Sequence, residues 1–492
     1  MESDSSDIFQ SVVSRRELLW KAGGGLGGVA LSAMLCGKVD ATTKSPSTGR
    51  HHAPRAKRVI QIFCPGGLSH LDTFDYKPEL EKRAGTPFDP GGKLQFFASK
   101  PGSCMPSQWK FRQHGESGLW MSDLMPNLAT CIDEMAFIYS MQSKTALHGP
   151  GCFFMNTGFT LPGFPSMGSW VTYGLGSESD NLPGFVVLPD PRGLPPGGPI
   201  NWGAGFLPAI HQGTTMSVQT GEPPLSDLFP PGDFAGVDRK NDRAGLNFLR
   251  SLNQKHRDQR IGNSELDARI AAYEMAARLQ LSAPEATDLK GESAATQRLY
   301  ALDHPDIGPF GRQCLLARRL VERGTRFVQI FCGAENTTAR EIRPNWDSHE
   351  DLPRDHGYWG RILDVGAAAL LKDLKSRGML DETLVICSTE FGRQPAAQMK
   401  GKGDTQTKGR DHNAGAFTAW MAGGGIKGGT VWGETDEFSY NIVSDPVHVR
   451  DLQATLLHLF GIDHERLTYK YQGLDQRLTG VEKASVVKGI LA

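Results

Sequence analysis

The 492-residue chain has eight cysteines, at 36, 64, 104, 131, 152, 314, 332 and 387, and no C-x-x-C pair. Zinc ribbons, c-type haem attachment and thioredoxin chemistry therefore lose support. Neither charge is in excess. Lys and Arg number 53 against 54 Asp and Glu, a net charge of −1, which argues against a nucleic-acid partner. No run of 18 apolar residues follows residue 41, so the mature chain is expected to be soluble, without a stable membrane anchor. No internal repeat is visible. What is present looks globular: 39% hydrophobic and 22% charged residues exclude disorder of the whole chain. With 58 Gly and 30 Pro, long and well-punctuated loops are expected.

The N-terminus reads as an address. Arg15–Arg16 precede a short, Gly-rich apolar stretch over 22–36 and small residues near Ala41. A charged region, a weakly hydrophobic core and a small-residue cleavage site fit a twin-arginine export signal over 1–41. This predicts recognition by the twin-arginine translocation machinery and a periplasmic or secreted protein. Residues 42–57 read as a flexible lead-in. Removing the signal leaves seven cysteines, so at least one free thiol or a pairing with another chain is expected. Cys64 and Cys387 sit in apolar runs and read as buried small hydrophobes.

Strands are expected at Arg58–Cys64, Met135–Met141, Phe327–Cys332, Thr383–Ser388 and Ala416–Ala422. Helical signals fall at Asp123–Cys131, Gly151–Gly158, Arg239–Leu281, Asp306–Arg323, Tyr358–Arg377 and Val449–Phe460. Residues 160–235, dense in Gly and Pro, read as a long loop or insertion. Residues 333–358 and 394–409 read as polar loops, the second as mobile. Alternating strands and helices give an α/β fold with a central, mostly parallel sheet between helices. A single domain over 58–485 and a short tail over 486–492 are expected.

In open α/β sheets, sites form beyond the carboxyl ends of the strands. Ser69, His70, Asp72 and Asp75 follow the first strand, and Ser143, Thr145 and His148 the second. Asp347, His349, Asp355 and His356 follow the third, Glu390 follows the fourth, and Arg410, Asp411 and His412 precede the fifth. Asp75 reads as a helix cap. His448, His458 and His464 read as surface or core histidines. Acids and imidazoles brought to one sheet edge suit a divalent metal: zinc, manganese, calcium or magnesium.

Residues 369–392, A-L-L-K-D-L-K-S-R-G-M-L-D-E-T-L-V-I-C-S-T-E-F-G, resemble the sulfatase and phosphatase segment that ends in an acidic metal ligand and a glycine. D-L-Q-A-T-L-L-H-L-F-G at 451–461 resembles the closing sulfatase helix. C-P-G-G-L-S-H-L-D-T-F-D at 64–75, M-N-T-G at 155–158, W-D-S-H at 346–349, E-F-G-R at 390–393 and G-R-D-H-N at 409–413 extend the likeness. Together they resemble the twin-arginine-exported "domain of unknown function 1501" family of the alkaline-phosphatase-like superfamily. That resemblance implies an exported, metal-dependent hydrolase of sulfate or phosphate esters, acting on a small-molecule or glycan substrate. It implies metal ligands at Asp72, Asp347, His349, Glu390 and His412.

The sulfatase C-x-P-S-R nucleophile motif is absent, and Phe391 stands where a ligand is usual. Ser143, Thr145, His148 or a metal-bound water are the nucleophile candidates, with His148 alternatively a ligand or general acid. Arg393 or Arg410 would clamp the anion. The competing readings are a non-catalytic metal- or glycan-binding relative and an exported scaffold.

Overall fold

The computed structural model describes residues 49–91, 100–218, 239–259, 270, 274, 285–335, 343, 345–400 and 405–492. The export signal, with Cys36, lies outside the described residues, as do 42–48 of the expected lead-in. Residues 49–57 do not behave as a flexible lead-in. Their backbone amides bond Gly174, Gly461, Leu459 and Glu382, and Ala56 is fully buried.

The strands of the main sheet and of the ribbon beside it are β1 (Arg58–Phe63), β2 (Pro101–Cys104), β3 (Met135–Gln142), β4 (Phe185–Leu188), β5 (Thr214–Thr215), β6 (Phe327–Phe331), β7 (Thr383–Ser388), β8 (Gly392–Lys400), β9 (Thr405–Asn413), β10 (Phe417–Ala422), β11 (Thr430–Trp432) and β12 (Val447–His448). The main helices are α1 (His148–Thr157), α2 (Met167–Leu175), α3 (Arg239–Asp258), α4 (Gly308–Glu322), α5 (Leu352–Ser376) and α6 (Val449–Leu459).

A nine-stranded sheet runs β11-β3-β10-β7-β1-β6-β4-β5, with β12 also pairing with β3. All its pairings are parallel except those of β10, which is antiparallel to β3 and β7. Ile60 stands level with Val328 on one side and Val385 on the other.

Alternation along β1 explains the layers. Ile60 and Ile62 join the core of α4 and α5, while Val59 and Phe63 join that of α1, α2 and α6. Each such buried side chain contributes about 1.5–3 kcal/mol. Helices on both faces give the α/β sandwich expected from the sequence. All seven described cysteines are buried free thiols.

Several local expectations change. The 160–235 segment is not an insertion outside the core: α2 and β4 lie within it, and Phe185-Val186-Val187-Leu188 is fully buried beside β6. A four-residue run bounded by Pro183-Gly184 and Pro189 hides easily among turn residues, although a short apolar run with such flanks is a buried-strand signal. Residues 219–235 lie outside the described residues. Asp123–Cys131 is not an α-helix; a 3-10 helix covers Leu128–Glu134. The helix expected at Tyr358 begins at Leu352, where Asp351 caps it by accepting from the Arg354 amide. Asp355 and His356 are therefore helical and buried. Most of 259–281 lies outside the described residues. The expected tail is packed, with Val487 and Ile490 in the core.

The stretch 394–409 is not a loose loop either. It forms the antiparallel ribbon β8–β9, with β2 on its outer edge. Pro395 removes one ladder donor and the register shifts between Arg393 and Ala397, which is where a strand tolerates proline. Residues 401–404 lie outside the described residues.

Candidate metal centre

Four side chains converge beyond the sheet: His148, Asp347, His349 and His412. His148 opens α1, just after β3. Asp347 and His349 lie in the loop after β6. His412 is near the end of β9, level with Arg393 on β8.

That loop bends because Asn345 Oδ1 accepts from the Asp347 amide and the Trp346 carbonyl accepts from Ser348 N. Trp346 Nε1 anchors it by donating to the Cys332 carbonyl. The ribbon is stitched to it by Lys408 N–Glu350 O and Arg410 N–Ser348 O. Gly409 makes the approach possible: a Cβ there would sit 2.0 Å from the His349 carbonyl carbon. Gly66 does the same from the other side. It holds φ +111°, and a Cβ would lie 2.5 Å from the Asp347 amide.

The potential ligand atoms lie within 4.8 Å of one another. Asp347 Oδ1 is 2.7 Å from His349 Nε2, 3.2 Å from His412 Nε2 and 3.3 Å from His148 Nε2. His349 and His412 Nε2 are 3.0 Å apart.

Each ring's outer nitrogen has a partner. His148 Nδ1 donates to Glu390 Oε1 at 2.7 Å, His349 Nδ1 to Gln398 Oε1 at 2.5 Å, and His412 Nδ1 to the Ala146 carbonyl at 2.7 Å. A donating Nδ1–H leaves the lone pair on Nε2. Three Nε2 atoms thus face one carboxylate oxygen, that of His148 at ion-pair distance but without an aligned hydrogen bond.

Burial disfavours charge on Asp347, but Arg393 and the three histidines outweigh it and hold the carboxyl well below its usual range. Burial also opposes a charged His148, yet Asp347 and Glu390 raise it to about 9. Burial and then Arg393 lower His412 to about 4.

The remaining candidates take other places. Asp72, expected as a ligand, is fully buried away from the cluster. It is paired with Arg410 (Nε–Oδ2 2.8 Å) and accepts from Ser69 Oγ at 2.5 Å. Burial raises its carboxyl, but Arg410 and Ser69 bring it below the usual range. Glu390 is buried behind His148, its oxygens taken by His148, Gly66 N at 2.8 Å and Thr389 Oγ1 at 3.0 Å.

Both expected anion clamps are fully buried and bonded within the protein. Arg393, fully buried, donates to the carbonyls of Gly66, Gly67, Trp346 and Arg410 and to Asp347 at 2.8 Å. Arg410 gives its donors to Asp72 and to the carbonyls of Gln394, Pro395, Met105 and Pro106. A guanidinium has five N–H donors; the contacts of Arg410 account for all five, and those of Arg393 for Nε, both hydrogens of Nη2 and one of Nη1, with its side chain fully buried.

Thr145 Oγ1 accepts from the Leu147 amide, while Ser143 Oγ has no hydrogen bond. Asp75 does not cap a helix: it bonds Thr435 and Ser439 and pairs with Lys77. His356 accepts from the Ser69 amide at 3.0 Å. Reasoning from sequence missed Gln398, which lies in the stretch read as mobile, and Arg343, whose Nη1 is 3.4 Å from Asp347 Oδ2.

No curated protein matches the chain. Among solved structures, the PsFucS1 sulfatase from Pseudoalteromonas sp. is 13% identical, with 89% of this chain and 72% of that chain covered at a TM-score of 0.35. A protein in the alkaline phosphatase superfamily from Vibrio parahaemolyticus is 11% identical, with 90% and 76% covered at 0.35. The lipoteichoic acid synthase LtaP from Listeria monocytogenes is 8% identical, with 93% and 80% covered at 0.34. The model of the family described as "Protein of unknown function (DUF1501)" matches residues 56–491. That match spans β1 through the packed C-terminus and every residue of the cluster, and the chain belongs to this family.

Proposed function

We propose that the protein is an exported metal-dependent hydrolase of sulfate or phosphate esters. The observation that carries this reading is the convergence of His148, Asp347, His349 and His412, each histidine turned by an outer partner so that Nε2 faces inward. Imidazoles held in this way are the usual arrangement of metal-binding histidines. The donor set fits a divalent cation. Three Nε2 atoms crowded about one carboxylate oxygen, His148 Nε2 without an aligned hydrogen bond among them, would be stabilised by a central positive charge. Three nitrogens and one oxygen favour zinc over calcium or magnesium, which prefer all-oxygen sites.

A bound cation would supply a Lewis acid for a non-bridging ester oxygen. The chain's own part is to place and orient. Arg393 holds Asp347, Glu390 and Gln398 fix two imidazoles, and the Ala146 carbonyl, in the loop that also carries Ser143 and Thr145, fixes the third. We propose one of these two hydroxyls, or a water, as nucleophile. The twin-arginine leader would deliver the folded protein to the periplasm or beyond. Among the described residues no helix is long and apolar enough to cross a membrane.

A second reading, a metal-binding relative without turnover, draws on the full burial of Arg393 and Arg410 and their bonding to the protein itself. Elemental analysis of protein purified without added metal, beside His349→Ala and Asp347→Ala, tests the centre. Near-stoichiometric metal in the wild type, lost in both variants, is expected. A metal-free, folded wild type would overturn the proposal. Turnover of aryl sulfate and aryl phosphate esters then separates hydrolase from binder.

A further inference from the structure

The proposed reaction needs a cation that meets the ester's anionic oxygens, and both expected arginines are fully buried and bonded within the protein. Arg192 is also committed: Asp190 takes Nε and Nη2 at 2.7 and 2.8 Å, and Tyr358 takes Nη1. Arg343 differs. Its main chain is fixed, since its carbonyl accepts from Trp359 Nε1 at 2.8 Å and its amide reaches Asp355 Oδ1 at 3.4 Å. Its side chain is 28% exposed and, among the described residues, touches one group, Asp347 Oδ2 at 3.4 Å through Nη1. Among the described residues Nε and Nη2 have no partner. The guanidinium thus stands at the rim of the cluster, anchored at its backbone, with donors to spare. Asp347 is shared between the two functions: Oδ1 faces the imidazoles and Oδ2 faces Arg343.

We propose that Arg343 is the oxyanion-recognition residue, its planar fork binding two non-bridging oxygens of a tetrahedral sulfate or phosphate group seated at the cluster. Guanidinium geometry suits bidentate contact with such oxygens. The proposal rests on the hydrolase reading above, and it assigns recognition to a guanidinium beside the cluster that, unlike buried Arg393, is partly exposed with donors unspent among the described residues.

The test uses the full-length protein loaded with metal, titrated calorimetrically with inorganic phosphate, sulfate and vanadate. Wild type, Arg343→Lys and Arg343→Ala are compared, with metal content and unfolding temperature measured in each. Arg343→Ala is expected to lose about 10- to 100-fold in oxyanion affinity, with metal content and unfolding temperature unchanged. Arg343→Lys, which keeps the charge and loses the fork, should fall between. Wild-type affinity in Arg343→Ala, with metal retained, would overturn the assignment alone. A wild type that retains metal but binds none of the three anions would overturn both the assignment and the ester-hydrolase reading. A wild type that retains no metal would overturn the centre itself.

Discussion

Two charged centres lie at the same sheet edge and are built from the same residue types, yet they are opposites. Around Asp72 the carboxylate and the guanidinium that faces it are spent. Arg410 gives it two N–H groups, Ser69 a hydroxyl, and the rest of Arg410 is taken up by backbone carbonyls. Both side chains are fully buried. Around Asp347 the account is left open: three inward Nε2 atoms, one without an aligned hydrogen bond, and a partly exposed arginine surround one carboxylate. A closed set of this kind holds chain segments together, whereas an open set has capacity for something added. Position after a strand does not distinguish them; the way the polar atoms are spent does.

The sharpest way to break this comparison is Arg410→Ala. It would leave Asp72 charged, buried and unpaired, and should cost about 3–5 kcal/mol, read as a lower urea midpoint. His349→Ala in metal-free protein removes one of several crowded acceptors and should change stability by less than about 1 kcal/mol, while abolishing metal binding. Equal costs in the two variants would erase the distinction.

These contrasts show what was legible in the sequence. Strand alternation in β1 and β7 and the parallel α/β order could be read because burial on both faces writes continuous apolar runs. All four converging residues were among the candidates, because each follows or precedes such a run. Their division of labour was not legible. Asp72 and Asp347 look alike in sequence, and only the fold shows that one faces Arg410 and the other three imidazoles. Gln398 was hidden because Pro395 and the shifted register of β8 disguise a strand as a loop.

Acid should strike the closed centre next. His356 is fully buried above Ser69. Burial is the chief reason that its pKa falls to about 3; Arg393 and Arg410 push the same way, while Asp72 and Asp347 oppose. The unfolded chain would titrate this ring near 6.5. Between those values the unfolded state binds a proton that the fold refuses, so stability falls as pH drops from about 6.5 toward 3. At pH 5 this one group should cost about 2 kcal/mol relative to pH 7. Urea midpoints at the two pH values, in wild type and His356→Gln, check it. The variant should lose that part of the slope; an unchanged slope would place the acid sensitivity elsewhere.

The smallest effect concerns the open centre and asks how far its openness depends on support from behind. Gln398 touches His349 through Nδ1 and, being on β8, ties the ring's orientation to the ribbon that also carries Arg393. Gln398→Ala removes no proposed ligand. It frees the imidazole to rotate and to exchange tautomers, so Nε2 faces inward only part of the time. Metal affinity measured by chelator competition should fall about tenfold, while Arg410→Ala, where it folds, should leave that affinity closer to wild type. If Gln398→Ala binds metal as tightly as wild type, the ribbon does not aim His349, and packing against His412, 4.7 Å away between ring centroids, must orient it instead.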